Sequence, residues 1–87
     1  MPERLDSLAI TSELIRAARA LLRWEQRDLA DASGVSLPTI KRLEAAPGIL
    51  AAHSSTVTAL RRALESAGIE FTNGEGLGVR LKTSGHD

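Results

Sequence analysis

The chain has 87 residues, 43% of them hydrophobic and 25% charged, and its eleven basic residues balance eleven acidic ones. This length fits one domain with a single core and excludes a separate sensor or catalytic module. Cysteine is absent, which excludes a disulfide framework and a cysteine zinc site. The zero net charge excludes a bulk attraction to nucleic acid or anionic membranes, so any such attraction has to be local.

The sequence also favours a cytoplasmic protein without a membrane partner. A small domain that lacks disulfides suits a reducing compartment. Its longest run of apolar or small residues, 45–52, is far shorter than the ~20 residues that span a bilayer. The amino terminus begins with charges of both signs and no long apolar segment follows, unlike a secretory signal.

Hydrophobic periodicity predicts two helices in the first part of the chain. After an arm of residues 1–11, apolar residues at three- and four-residue spacing predict a helix over residues 13–23, with Ser12 as its N-cap. A shorter helix fits residues 26–32 and stops at Gly34, because glycine readily adopts the left-handed conformation that ends a helix.

Two more helices are predicted before the periodicity changes. Ser36 is the expected cap of a third helix, which ends before Pro47. Ser54 or Ser55 then caps a fourth helix that stops at Gly68. The fourth helix carries one apolar stripe, formed by Val57, Leu60, Leu64 and Ala67.

From residue 68 to residue 82 the period is 2, which is typical of a β-hairpin. The favoured same-face register places Phe71 opposite Leu77. It also places Ile69 opposite Val79. A lone hairpin is marginally stable and exposes its edges, so we expect it to pair with a second copy of the chain. The predicted dimer interface consists of the apolar hairpin residues Ile69, Phe71, Leu77, Val79 and Leu81.

Residues 26–45 carry the clearest functional signal. Two short helices packed at a steep angle need a small residue where they cross, here Ala30, and a glycine in the turn, here Gly34. The exposed side of the second helix then fits the DNA major groove, which is about 12 Å wide. The spacing therefore predicts a helix-turn-helix, with a miniature core of Leu29, Val35, Ile40 and Leu43.

These residues resemble the Cro and phage-repressor type of helix-turn-helix, the xenobiotic-response-element-like family. The resemblance covers residues 12–67, and the hairpin pattern is similar to that of a subgroup of small bacterial regulators. The chain departs from the family pattern at Glu25, where a capping Ser or Thr is usual, and at Arg23, where Gly is common. The matching residues are Ala18-Arg19-Ala20-Leu21-Leu22, Trp24, Gln26, Leu29-Ala30, Gly34-Val35-Ser36, Thr39-Ile40 and Arg42-Leu43-Glu44.

The resemblance implies a mostly α fold, a lambda-repressor-like bundle of four helices with a C-terminal β-hairpin. The expected organisation has four parts: an N-terminal arm of residues 1–11, a DNA-binding domain of residues 12–67, a dimerising hairpin of residues 68–82 and a tail of residues 83–87.

Carried over residue by residue, the resemblance also implies a DNA-binding surface. Gln26 matches a glutamine that touches phosphate, whereas Leu37, Pro38 and Arg42 match positions that face base edges. Of these, only Arg42 can bond guanine O6 and N7 together, so we expect sequence discrimination to centre on it. The predicted DNA-binding residues are Gln26, Arg27, Ser36, Leu37, Pro38, Thr39, Lys41 and Arg42.

Other residues with chemical potential have structural interpretations. The resemblance implies that Glu44 forms an ion pair with Arg19 rather than acting as a catalytic acid. Trp24 is predicted to fill the core between the first two helices. His53 and His86 lack metal-ligand spacing. We therefore expect no catalytic residue, no metal and no cofactor.

The leading hypothesis is a homodimeric transcriptional regulator that binds an inverted repeat in double-stranded DNA. The alternative is an antitoxin or anti-activator that uses the same fold to hold a protein partner, with the hairpin edge as its binding surface. DNA binding by a neutral chain requires that its charges segregate. The cations expected on one side are Arg16, Arg23, Arg27, Lys41 and Arg42, and the acids expected on the other are Glu65, Glu70 and Glu75.

Overall fold

The computed structural model describes residues 10–72 and 76–82, so most of the predicted arm and the whole predicted tail lie outside the described residues. It confirms a mostly α bundle followed by a two-stranded antiparallel hairpin. No helix in these two ranges is long and apolar enough to cross a membrane. The elements are α1 (Ser12–Leu22), α2 (Gln26–Ser33), α3 (Leu37–Ala45), α4 (Ser54–Ser66), β1 (Ile69–Thr72) and β2 (Gly78–Leu81).

The predicted N-caps of α1 and α4 are wrong. Thr11 caps α1, because its backbone is extended and its Oγ1 accepts from an N–H of the first turn at 3.1 Å. Ser12 is already helical and fully buried, and its N–H donates to the Gly48 carbonyl at 2.9 Å. The N-cap of α4 is His53 rather than either serine after it.

The turn between α1 and α2 accommodates both departures from the family pattern. Arg23 takes the left-handed conformation, with φ 59°, in which the family often has glycine. At the start of α2, the N–H of Glu25 donates to the Asp28 carboxylate at 2.8 Å. An acid in the first turn of a helix thus satisfies a donor at the N-terminus.

The turn between α2 and α3 follows the predicted chemistry. Gly34 ends α2 with φ 79°, and its N–H donates to the Ala30 carbonyl at 2.9 Å. Ser36 caps α3, because its Oγ accepts from the Thr39 N–H at 3.3 Å. These two residues define the turn that joins the helices.

The core lies between the four helices and the inner face of the hairpin. Trp24 and Val35 are half-buried and pack against it. Ile10 is 3% exposed and Thr11 forms a β-bridge with Ile49, so the last two residues of the predicted arm belong to the folded body. Burying each large aliphatic side chain stabilises the fold by roughly 1.5 to 3 kcal/mol. The buried apolar residues are Ile10, Leu14, Ile15, Ala18, Leu29, Ile40, Leu43, Leu50, Leu60, Leu64 and Ile69.

The predicted hairpin register is wrong by two residues. Phe71 lies opposite Val79, and Glu70 lies opposite Arg80. A shift of two residues keeps every side chain on its own face, so apolar alternation alone does not distinguish the two registers. The observed register sets opposite charges across the strands, and the Arg80 guanidinium donates to the Glu70 carboxylate.

The hairpin packs on the bundle, with β2 along α1 and β1 along α4. Ile69 is only 1% exposed and belongs to the core of its own chain. Its assignment to the dimer interface is therefore wrong. Phe71 and Val79 are half-buried against the same core, whereas Leu77 and Leu81 are 52% and 39% exposed.

Candidate nucleic-acid interface

The second helix of the helix-turn-helix, α3, has one buried face and one exposed face. Ile40 and Leu43 anchor it in the core. Pro38, Lys41 and Arg42 are exposed on the other side. Both exposed cations belong to the predicted DNA-binding set, and so does the exposed proline between them and the turn.

The rest of the predicted set lies at the start of α3 and at the start of α2. Ser36, at the N-cap of α3, is exposed, and Leu37 and Thr39 in its first turn are half-buried. Gln26 and Arg27 open α2, where the positive end of the helix dipole favours an anion. Arg27 is exposed and Gln26 is half-buried. The helix-turn-helix therefore combines exposed cations, a hydroxyl group and a helix N-terminus.

A cleft of about 550 Å³ runs beside the exposed face of α3 and reaches the start of α4. Arg42 and Thr39 line it from α3, and Thr56 and His53 line it from α4 and its N-cap. Hydroxyl groups, a guanidinium and the positive end of a helix suit a phosphate oxygen. The sequence did not predict that His53 and Thr56 lie in one cleft with Arg42, because this depends on the fold bringing the start of α4 beside α3.

Behind the exposed face, Glu44 is the centre of a buried polar network. Its carboxylate is almost fully buried, with 5% of the residue exposed. Arg19 donates from Nη2 to Oε1 at 2.7 Å and from Nε to Oε2 at 2.8 Å. The remaining Arg19 Nη1 donates to the Trp24 carbonyl at 2.9 Å. A buried carboxylate needs such compensation, so these bonds keep α1 and α3 in one arrangement.

Gln26 joins the same network, which sequence reasoning did not anticipate. Its Nε2 donates to Glu44 Oε1 at 3.0 Å, so the start of α2 is bonded to the end of α3. The resemblance assigns Gln26 to phosphate alone. The observed bond adds a structural role, which fixes the side chain that stands at the N-terminus of α2.

Arg16 makes a contact with α3 that the sequence did not predict. Its Nη1 donates to the backbone carbonyl of Glu44 at 2.7 Å, at the C-terminal end of α3. One turn earlier on α1, the Glu13 carboxylate accepts from the Gly48 N–H at 3.2 Å. The backbone N–H of Glu13 itself and then that of Gly48 hold the pKa of this carboxyl below its ordinary value of 4.5.

The described residues contain no group of three or more histidine and acidic side chains that is placed to hold a metal ion. The surface around α3 instead presents hydrogen-bond donors, and α3 has the size that fits the DNA major groove.

The fold and this surface are those of a DNA-binding helix-turn-helix protein. A model of the Cro/C1-type helix-turn-helix family matches residues 15–66, which is more than half of the chain. No curated protein matches the chain. The chain belongs to this helix-turn-helix family of DNA-binding transcription regulators.

Proposed function

We propose that the chain is a sequence-specific regulator that binds double-stranded DNA as a homodimer, with α3 in the major groove. The observation that carries this proposal is the two-sided character of α3. One face is anchored by Ile40, Leu43 and the Glu44 network, while Lys41 and Arg42 face solvent. A rigidly held helix with exposed donors is what direct readout of base edges requires.

Within this proposal some residues contact base edges and others contact the phosphate backbone. Arg42 bonds the O6 and N7 atoms of a guanine, and Leu37 and Pro38 contact thymine methyl groups. The phosphate backbone is held by Gln26 and Arg27 at the start of α2 and by further polar residues around α3. Those further residues are Ser36, Thr39 and Lys41.

The second copy is proposed to dock on the hairpin. Leu77 and Leu81 are large apolar residues with 52% and 39% of their surfaces exposed. Among the described residues, β2 pairs with β1 alone, so each strand keeps a free edge. Edge-to-edge pairing with a second copy covers both the leucines and the edge. A two-fold dimer then sets two α3 helices on half-sites about 34 Å apart.

Selection of duplexes from a random pool by the purified protein, at one stated salt concentration, tests this function. We expect an inverted repeat to be enriched, with a guanine at a fixed place in each half-site. Recovery of no preferred sequence contradicts sequence-specific binding. That result, combined with binding of a protein through the hairpin, favours the antitoxin or anti-activator alternative.

A further inference from the structure

The helix α3, which we propose as the recognition helix that enters the major groove, ends differently from the other helices that the structure describes. The C-cap residues of α1, α2 and α4 each donate a backbone N–H to their own helix. Ala46, the C-cap of α3, has an extended backbone with φ −97° and ψ 127°, and among the described residues it makes no such bond. The last carbonyls of a helix carry the negative end of its dipole and need donors.

Arg16 supplies a donor at this end. Its Nη1 lies 2.7 Å from the carbonyl oxygen of Glu44, the penultimate residue of α3. A guanidinium in this position satisfies a carbonyl and also sets a positive charge against the negative end of the dipole. Arg19, three residues along α1, holds the carboxylate of the same glutamate. Both the backbone and the side chain of Glu44 are thus held from α1.

The loop after α3 is tied to the same part of α1. The Ser12 N–H donates to the Gly48 carbonyl at 2.9 Å, and the Gly48 N–H donates to the Glu13 carboxylate at 3.2 Å. The end of α3 and the loop that follows it are therefore both bonded to α1. In the sequence of α1, Arg16 lies between Glu13, which bonds to this loop, and Arg19, which bonds to the Glu44 carboxylate.

The geometry points to Arg16 as a positioning residue that caps the recognition helix from α1 and fixes the direction in which α3 presents Arg42. Arg42 lies two residues before Glu44, within the helical turn that Arg16 closes. The consequence for DNA recognition rests on the proposed function. The rival interpretation is that Arg16, which is an exposed residue, binds a DNA phosphate directly.

Amide hydrogen exchange tests the cap without DNA. In Arg16→Ala we expect exchange in the last turn of α3 to be faster by roughly tenfold, the effect of losing one hydrogen bond to a charged group. Exchange in α2 should be unchanged. Arg16→Lys should restore much of the protection, because it keeps a cationic donor. Arg62→Ala, which removes an exposed arginine from α4, is the charge-matched control. Unchanged exchange at the end of α3 in Arg16→Ala overturns the proposal.

DNA binding separates the positioning role from a phosphate contact. For Arg16→Ala we expect the ratio of specific to non-specific affinity to fall by roughly tenfold, while the salt dependence of non-specific binding stays the same. A salt slope reduced by about one, with an unchanged ratio, overturns the positioning role in favour of a phosphate contact. If the wild-type chain selects no DNA sequence, the proposed function fails, and the exchange measurement still decides whether Arg16 caps α3.

Discussion

Gln26 Nε2 lies 3.0 Å from Glu44 Oε1, so the first residue of α2 donates to the buried carboxylate of the penultimate residue of α3. The same oxygen accepts from Arg19 Nη2 at 2.7 Å. Three helices of the bundle therefore meet at a single side chain directly behind the surface that we propose for DNA. Loss of the Glu44 carboxylate would therefore remove hydrogen bonds that hold both α2 and α3.

Replacement of Glu44 by alanine is expected to lower the free energy of unfolding by ~3 to 5 kcal/mol, because it leaves Arg19 and Gln26 without their partner in a buried site. Urea unfolding followed by circular dichroism measures the loss. Glu65→Ala, which removes an exposed acid from α4, is the control and should change the unfolding free energy by less than about 0.5 kcal/mol. An unfolding midpoint unaffected by Glu44→Ala contradicts the structural role of the network.

Lys41 and Arg42 are neighbours on the exposed face of α3, but they are expected to differ in function. Arg42→Ala should lose ~1 to 3 kcal/mol of discrimination at one base pair of each half-site. Lys41→Ala should weaken binding to all sequences alike and reduce the salt slope by about one. Titrations of operator and unrelated duplexes at several salt concentrations distinguish the two. Equal losses on both duplexes for Arg42→Ala would make it a phosphate contact.

The lowered pKa of Glu13 predicts a pH dependence of stability. Its carboxyl has a lower pKa in the folded chain than its ordinary value of 4.5, so the ionised form stabilises the fold at higher pH. This contribution is complete above pH 4.5 and is lost as the pH falls through the folded-state pKa. The urea midpoints of wild type and Glu13→Gln should therefore differ at pH 6 and converge as the pH falls through the folded-state pKa of Glu13. A gap that stays constant over this range argues against the shift.

The proposed dimer is tested best by replacing exposed leucines. Truncation of the hairpin is unsuitable, because it removes Ile69 from the core. Leu77→Ser with Leu81→Ser should give a monomer in sedimentation and weaken operator binding while leaving the fold intact. Ile49→Ser is the matched control, since Ile49 is an apolar residue 69% exposed in the loop after α3. If the leucine variant remains a dimer, or if the Ile49 variant dissociates, the interface does not lie on the hairpin leucines.

The sequence predicts those features that depend on local chemistry. Gly34 and Ser36 are sufficient to predict the turn between α2 and α3, because a left-handed stop and a hydroxyl cap have few alternatives. The register of the hairpin is different, since two registers keep the same apolar face, and the observed one pairs Glu70 with Arg80. Local patterns specify an element more strongly than they specify its partner.

The roles of individual polar side chains were the least predictable. Arg16 and Gln26 look like surface residues in the sequence, and both bond to Glu44 across long stretches of chain. Ile69 resembles an interface residue by its alternation, yet the packing of β1 along α4 buries it. These assignments depend on which surfaces the tertiary fold brings together, and no pattern within one element contains that information.

The most direct test of sequence reading by α3 is a double-mutant cycle between Arg42 and its proposed guanine. The selected operator is made with 7-deazaguanine at the fixed position, which removes the N7 acceptor and leaves the rest of the base. Wild type should lose roughly tenfold in Kd or more on this duplex, as expected for one good base contact. Arg42→Ala should bind the two duplexes equally. An equal loss by both proteins would contradict the assignment of Arg42 as the residue that reads this guanine.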